Sequence, residues 1–173
     1  MKFQSIKTYN LKNHQVNQIL NLKKTYWKHK LSSQQKWFKK NAKSYDLHNI
    51  MLKNKEIIGY TFLGNRSFKI CKSKNNLLSK KYLLFATLIL KKKYRNFFYA
   101  SKIMNFNKKI IKKNKKPSFL LCKSNKIKFY KFFGWKNIKK KTFSTPDHPS
   151  NLYGMIFNFR NLSKYQYKFF YYL

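Results

Sequence analysis

Apolar positions along this chain change their period several times, and each change marks an element. Val16, Ile19 and Leu20 recur at helical spacing after Asn10, a candidate cap, and predict a first helix closing at NLKKTYW, residues 21–27. SSQQKWFKKNA opens like a second helix, with Ser32 or Ser33 as cap and Gln35 or Gln34 near the reciprocal position. DLHNIML and IIGYTFLG are β-rich runs joined by the short polar KNKE, which predicts a hairpin. Lys72 to Lys81 reads as a polar loop. Tyr82 to Leu90, YLLFATLIL, is a nearly unbroken apolar strand, the pattern of burial on both faces.

Beyond a basic stretch, KKKYRNFFYASKIM, the period lengthens again. Tyr99, Ile103, Phe106 and Ile110 step by four, three and four, the stripe of a helix lying on a sheet. NKKP breaks it, PSFLLC is a short buried strand, and SNKIKFYKFF is a short helix stopped at Gly134. WKNIKKKTF and LYGMIFNF are two final strands around the loop STPDHPSN. The order is helix, helix, hairpin, strand, helix, strand, helix, strand, strand. It predicts one mixed α/β domain with one core, without internal repeat or linker.

A chain of 173 residues buries about two-thirds of its unfolded surface and needs neither disulfide nor metal to fold. Apolar residues at 43% and aromatics at 19% argue against disorder. Two cysteines, Cys71 and Cys122, make neither a framework nor a metal site; Cys122, in an apolar run, is expected to be a small buried residue. MKFQSIKTYN lacks the apolar stretch of a signal peptide, and the run from Tyr82 to Leu90 falls short of the roughly 20 residues that span a bilayer. A cytoplasmic, reducing compartment and no transmembrane segment are the expectations.

Charge is the extreme feature. Asp46, Glu56 and Asp147 are the only acids against 41 Lys plus Arg, for a net charge of +38. That profile suits a nucleic-acid binder. Yet the cations are lysines apart from Arg66, Arg95 and Arg160, whereas phosphate and base readers favour the bidentate fork of Arg. Lys, Asn, Ile, Phe and Tyr are inflated together, as codons rich in A and T would make them, and the lysines are spread along the whole chain. Most of the charge therefore reads as drift on solvated faces, leaving nonspecific nucleic-acid attraction as its consequence.

The basic loop between a buried strand and a helix is either a solvated turn or a place that holds an anion. Here the order of elements and two local motifs resemble the GNAT family of acyl-CoA N-acyltransferases. The family's cofactor loop runs Arg or Gln, two residues, Gly, one residue, then Gly or Ala. Arg95-Asn96-Phe97-Phe98-Tyr99-Ala100 matches at Arg95 and Ala100 and departs at Phe98. Tyr130-Lys131-Phe132-Phe133-Gly134-Trp135 looks like the family's Tyr-x-x-x-Gly-Phe ending, and Leu120-Leu121-Cys122 fits the strand before it. The resemblance runs from about residue 5 to residue 158 and is strongest over 46–158. It implies that residues 1–173 form a single-domain acyl-CoA N-acyltransferase fold, of mixed α+β type within the α/β class. Such a fold is a mixed, mostly antiparallel sheet flanked by helices on both faces.

The resemblance also implies a function: transfer of an acetyl group from acetyl-CoA, the cosubstrate, to a primary amine on a small molecule or a protein, with no metal. Arg95, Asn96, Phe97, Phe98, Tyr99, Ala100 and Ser101 would hold the pyrophosphate, because a helix N-terminus offers backbone N–H groups and partial positive charge. Leu88, Ile89 and Leu90 would pair with the pantetheine arm through main chain, and an N–H near Leu90 would face the oxyanion. Tyr130 matches the tyrosine that protonates the departing thiolate; it is equally an aromatic on the buried face of a helix. A glycine at 98 would let the backbone approach phosphate. Phenylalanine there either turns aside on helical backbone or blocks the cleft.

No carboxylate stands in the central strand, so no general base is assigned. His48 either faces the cleft or is a satisfied strand residue. Glu56 falls in the hairpin turn, and Asp147 with His148 either borders the acceptor or forms a rigid turn. Two other classes stay open: a noncatalytic, ribosome-associated basic protein whose interleaved Lys and aromatics stack bases, and a degenerate acyltransferase fold kept for interaction.

Overall fold

The structure, a computed structural model, describes residues 1–27, 29–73, 76–159 and 165–172. It begins with a strand, β1 (Lys2–Lys7), followed by the helices α1 (Asn13–Lys24) and α2 (Leu31–Asn41). Three strands come next, β2 (Leu47–Lys53), β3 (Glu56–Ser73) and β4 (Asn76–Leu90), and then α3 (Phe97–Lys113). β5 (Ser118–Cys122), α4 (Ile127–Phe132), β6 (Lys136–Asn137), β7 (Phe143–Ser144), β8 (Tyr153–Phe157) and β9 (Gln166–Phe169) complete the described chain. Hydrogen-bonded neighbours run β1-β2-β3-β4-β5-β8-β6, with β9 beside β3 and β7 beside β9. β4–β5 and β7–β9 pair in parallel; β1–β2, β2–β3, β3–β9, β5–β8 and β6–β8 are antiparallel.

The chain forms two compact units, Met1–Gly64 with Ala86–Ile110, and Asn65–Phe85 with Ile111–Leu173. In the first, successive strand residues feed opposite faces. Ile50, Ile57, Tyr60, Phe62 and Ile89 meet Ile19 and Leu22 of α1, and Trp37 of α2 packs edge-on to Phe62. Met51, Ile58 and Leu90 meet Ile103 of α3. Helices therefore cover both faces of this sheet. The register slips between Met51 and Leu52, so Ile58 and Gly59 both lie on the α3 face. At Gly59 an added Cβ would stand 2.8 Å from the ends of the Leu90 and Met51 side chains and 3.2 Å from that of Ile103, so those side chains would have to shift to admit one.

The second unit is an aromatic core. Phe68, Tyr82, Phe119, Tyr167 and Phe169 are all buried together, with Phe119 and Phe169 stacked at 3.9 Å. Its last strand is fastened by polar groups: the Arg66 guanidinium donates to the Tyr171 carbonyl, and the Tyr82 hydroxyl to the Phe170 carbonyl at 2.8 Å.

Several expectations need correction. Asn10 does not cap α1. It ends a 3-10 turn, Thr8–Asn10, and the helix starts after Lys12, whose N–H donates to Gln15 Oε1 at 3.1 Å. Ser32 and Ser33 lie inside α2, which opens at Leu31 because the Lys30 carbonyl accepts the Gln34 N–H at 3.1 Å. The polar stretch Lys72 to Lys81 is strand through Ser73 and again from Asn76; residues 74 and 75 lie outside the described residues. WKNIKKKTF is divided into β6, a 3-10 turn and β7. The hairpin, the buried central strand, α3 and the stop at Gly134 (φ 82°) are as the pattern predicts.

Candidate functional site

The strand β4 ends in alternation: Ile89 enters the core under α1, while Leu88 and Leu90 face α3. Its ladder closes with the Lys91 N–H on the Ile58 carbonyl at 2.8 Å, the carbonyl of the bulge. A 3-10 turn, Lys92–Tyr94, follows, and buried Tyr94 anchors it against Tyr99 at 4.9 Å. Arg95 then adopts φ −80°, ψ 70°, an inverse γ-turn in which the Asn96 N–H reaches the Tyr94 carbonyl at 2.9 Å. The Arg95 side chain turns back into the protein. Its Nε donates to the Leu90 carbonyl at 2.9 Å and its Nη2 to Thr25 Oγ1 at 3.2 Å, with the guanidinium over the Tyr26 ring at 5.5 Å. One arginine thus joins the end of the central strand to the end of α1.

Asn96 caps α3. Its Oδ1 accepts the Tyr99 N–H at 3.2 Å, and its carbonyl accepts the Ala100 N–H at 3.1 Å. Phe97 and Phe98 hold the first two helical positions, whose N–H groups point out along the axis. The Phe98 backbone is helical and its ring is 57% exposed, edge-on to Tyr99, with Lys102 Nζ 4.7 Å from its centroid. So the phenylalanine turns outward. The Ser101 hydroxyl is spent on the Phe98 carbonyl at 2.8 Å.

β4 pairs with β5 through Leu83↔Ser118 and Leu84↔Phe119, and no later β4 residue pairs with β5 among the described residues. β5 continues against β8 through Cys122↔Tyr153. Tyr130 belongs to the second unit, whereas Leu88–Leu90 and Arg95–Ser101 belong to the first. It is half-buried, edge-on to Phe85 at 6.2 Å and Trp135 at 6.1 Å. Gly134 explains the spacing of that motif: its left-handed backbone turns the chain back so that the Trp135 N–H reaches the Tyr130 carbonyl at 3.2 Å.

Three of the candidate bases, His48, Glu56 and Asp147, are held by polar partners. His48 is fully buried between Thr8 Oγ1 and the Tyr60 hydroxyl, each at 3.0 Å from a ring nitrogen. Burial, with the Lys23 charge behind it, lowers its pKa to about 3, so it stays neutral at physiological pH. Glu56 opens β3 and pairs with Lys91. Asp147 Oδ2 accepts the N–H groups of Tyr171 and Tyr172 at 2.7 and 2.8 Å, and His148 packs against both tyrosine rings.

No family model and no curated relative matches the sequence. Solved structures do match. An acyl-CoA N-acyltransferase from Pseudomonas aeruginosa superposes with a TM-score of 0.65 at 9% identity, over 90% of this chain and 97% of that one. An aminoglycoside 6′-N-acetyltransferase complexed with coenzyme A gives 0.63 at 10% identity, over 94% and 100%. Naa50 of Arabidopsis thaliana, in complex with the bisubstrate analogue CoA-Ac-MVNAL, gives 0.58 at 15% identity, over 92% and 100%.

The chain has the GNAT acyl-CoA N-acyltransferase fold. Two polar groups inside this GNAT fold escape the sequence pattern. Asn107, buried on α3, accepts from Asn49 Nδ2 at 2.7 Å and Thr61 Oγ1 at 2.8 Å, pinning the helix to two strands. Lys23 is buried with its ammonium 3.9 Å from the Trp37 ring centroid, and desolvation lowers its pKa to about 8. An Asn in a helical stripe and a Lys among many give no warning of burial. The described residues hold no cluster of three or more His, Cys, Asp or Glu, and no helix among them is long and apolar enough to cross a membrane.

Proposed function

We propose that this protein is an N-acetyltransferase that moves an acetyl group from acetyl-CoA to a primary amine of a small molecule or a protein. The observation that carries this is the passage from β4 into α3: a basic, acid-free loop ending in a helix N-terminus, on a central strand whose parallel ladder has stopped. Pyrophosphate would meet the first turn of α3, with the charge of Arg95, Lys92 and Lys93 around it. The pantetheine amides would pair with the main chain of Leu88–Leu90. The outward Phe98 ring leaves the backbone there in helical conformation.

In the reaction the amine nitrogen bonds to the thioester carbon while the carbonyl oxygen takes the negative charge, held by a backbone N–H near Leu90. Collapse breaks the carbon–sulfur bond. The thiolate takes up a proton and the amine's surplus proton leaves, both through water, since His48 and Asp147 are committed to structural bonds. Calorimetry with acetyl-CoA and CoA at moderate salt tests this. Saturable micromolar binding, weakened roughly tenfold or more by Arg95→Ala, supports the site. Absence of binding, or equal binding of any polyanion, overturns it.

A further inference from the structure

The face of α3 that meets the sheet is apolar except at one place. Tyr99, Ala100 and Ile103 pack with Met51, Ile58 and Leu90, and the Phe106 ring meets Phe3 at 5.2 Å. Asn107 follows one turn after Ile103 and is the only buried polar residue of the helix. Its Oδ1 accepts from Asn49 Nδ2 at 2.7 Å and from Thr61 Oγ1 at 2.8 Å, and its Nδ2 donates to the Ile103 carbonyl at 2.7 Å. Asn49 and Thr61 stand opposite each other on β2 and β3, so one amide spans the strand pair.

Stability does not explain this cluster. Asn49 Oδ1 is sealed from solvent without a hydrogen-bond partner, and a buried orphan acceptor costs more than apolar groups of the same shape would. What the cluster supplies is register. Apolar contact is non-directional, so Ile103 and Leu90 settle which face of α3 is buried but tolerate a slide along the axis. Asn107 does not tolerate it, because a slide would bury its amide among apolar groups and strand Asn49 and Thr61 as well. Phe97 opens the helix ten residues earlier, about 15 Å along the axis from Asn107. Only residues 91–96 separate it from the end of β4. The height of the first turn above β4 is therefore set at Asn107.

We propose that Asn107, held by Asn49 and Thr61, is a positioning residue for the anion-binding first turn of α3, so that CoA affinity depends on a polar cluster far from the ligand. This rests on the acyl-CoA reading above.

The test measures CoA binding by calorimetry, well below every melting midpoint, for the wild type, Thr61→Val and the apolar replacement Asn49→Leu/Thr61→Val/Asn107→Leu. The apolar replacement should melt at or above the wild type yet bind CoA roughly tenfold or more weakly. Thr61→Val removes one of the two donors to Asn107 and should bind roughly threefold or more weakly. A role confined to stability would move the melting temperature and leave the affinity of the folded protein alone. A folded apolar variant that binds CoA as the wild type does overturns the positioning role and leaves the acyl-CoA site standing. Should the triple replacement not fold, Thr61→Val decides alone, and an affinity equal to the wild type's overturns the proposal. If the wild type binds no CoA, the acyl-CoA reading itself falls, and this proposal with it.

Discussion

His48 shows what one buried side chain imposes on the rest. Its two nitrogens are matched by Thr8 and Tyr60, so the fold holds it neutral, with a pKa near 3 against 6.5 when unfolded. Below pH 6.5 the unfolded chain takes up a proton that the folded chain refuses. Stability is therefore complete above pH 6.5 and declines as pH falls toward 3, by at most about 1.4 kcal/mol per pH unit from this group. Lys23 acts in the same direction higher up: with a folded pKa near 8 against 10.5, it makes stability rise from pH 8 toward 10.5. Urea midpoints at pH 7, 5.5 and 4.5 check the first effect beside His48→Gln, which cannot titrate. The wild-type advantage at pH 7 should shrink at each step, and a constant difference would count against the neutral His48. On a strand, His48 could face a cleft or a core; only the partners Thr8 and Tyr60, 40 and 12 residues away, decide it.

At the scale of elements, what was legible depended on period. The hairpin, β4 and α3 announce themselves because each gives one face, or both, a regular apolar supply. β1 does not. Phe3 and Ile6 are three apart and so point to opposite faces, one toward Phe106 of α3 and the other into the α1 side, leaving no alternation to read. β9 does alternate, with Tyr167 and Phe169 buried between exposed Gln166 and Lys168, but four residues are too few to stand out among tyrosines and lysines. What fixes β9 is tertiary: its pairing with Phe68–Cys71, and the carboxylate of Asp147 beneath the two N–H groups that follow it. A charge-assisted pair of this kind is worth about 1.5–3 kcal/mol per bond at most. Asp147→Ala should lower stability by about 1–3 kcal/mol in denaturant melts and weaken protection of the Tyr167 and Phe169 amides from hydrogen exchange. Retention of both would assign the anchoring to Arg66, Tyr82 and the pairing with β3.

For the whole molecule, the two motifs sufficed to find the GNAT fold because each carries a backbone requirement: the cap at Asn96 and the left-handed Gly134. Charge gave the competing answer. A net +38 attracts any polyanion, and an exposed cluster such as Tyr9 and Tyr45, 5.7 Å apart with Lys7 Nζ 5.5 and 5.6 Å from their centroids, has the make-up of a base-stacking surface. Salt separates the two kinds of binding. Nonspecific nucleic-acid binding releases counterions in proportion to the phosphates neutralised, so its log affinity falls steeply with log salt. A built CoA site draws on main-chain pairing as well as a few phosphates, so its slope should be shallow. Titrations of acetyl-CoA and a single-stranded oligonucleotide from low to physiological salt should therefore diverge, with the oligonucleotide losing orders of magnitude while acetyl-CoA loses little. Arg95→Ala should change the acetyl-CoA curve and leave the oligonucleotide slope almost intact, because one cation among 41 is a small part of a diffuse field. Parallel curves would place acetyl-CoA on that field rather than in a site.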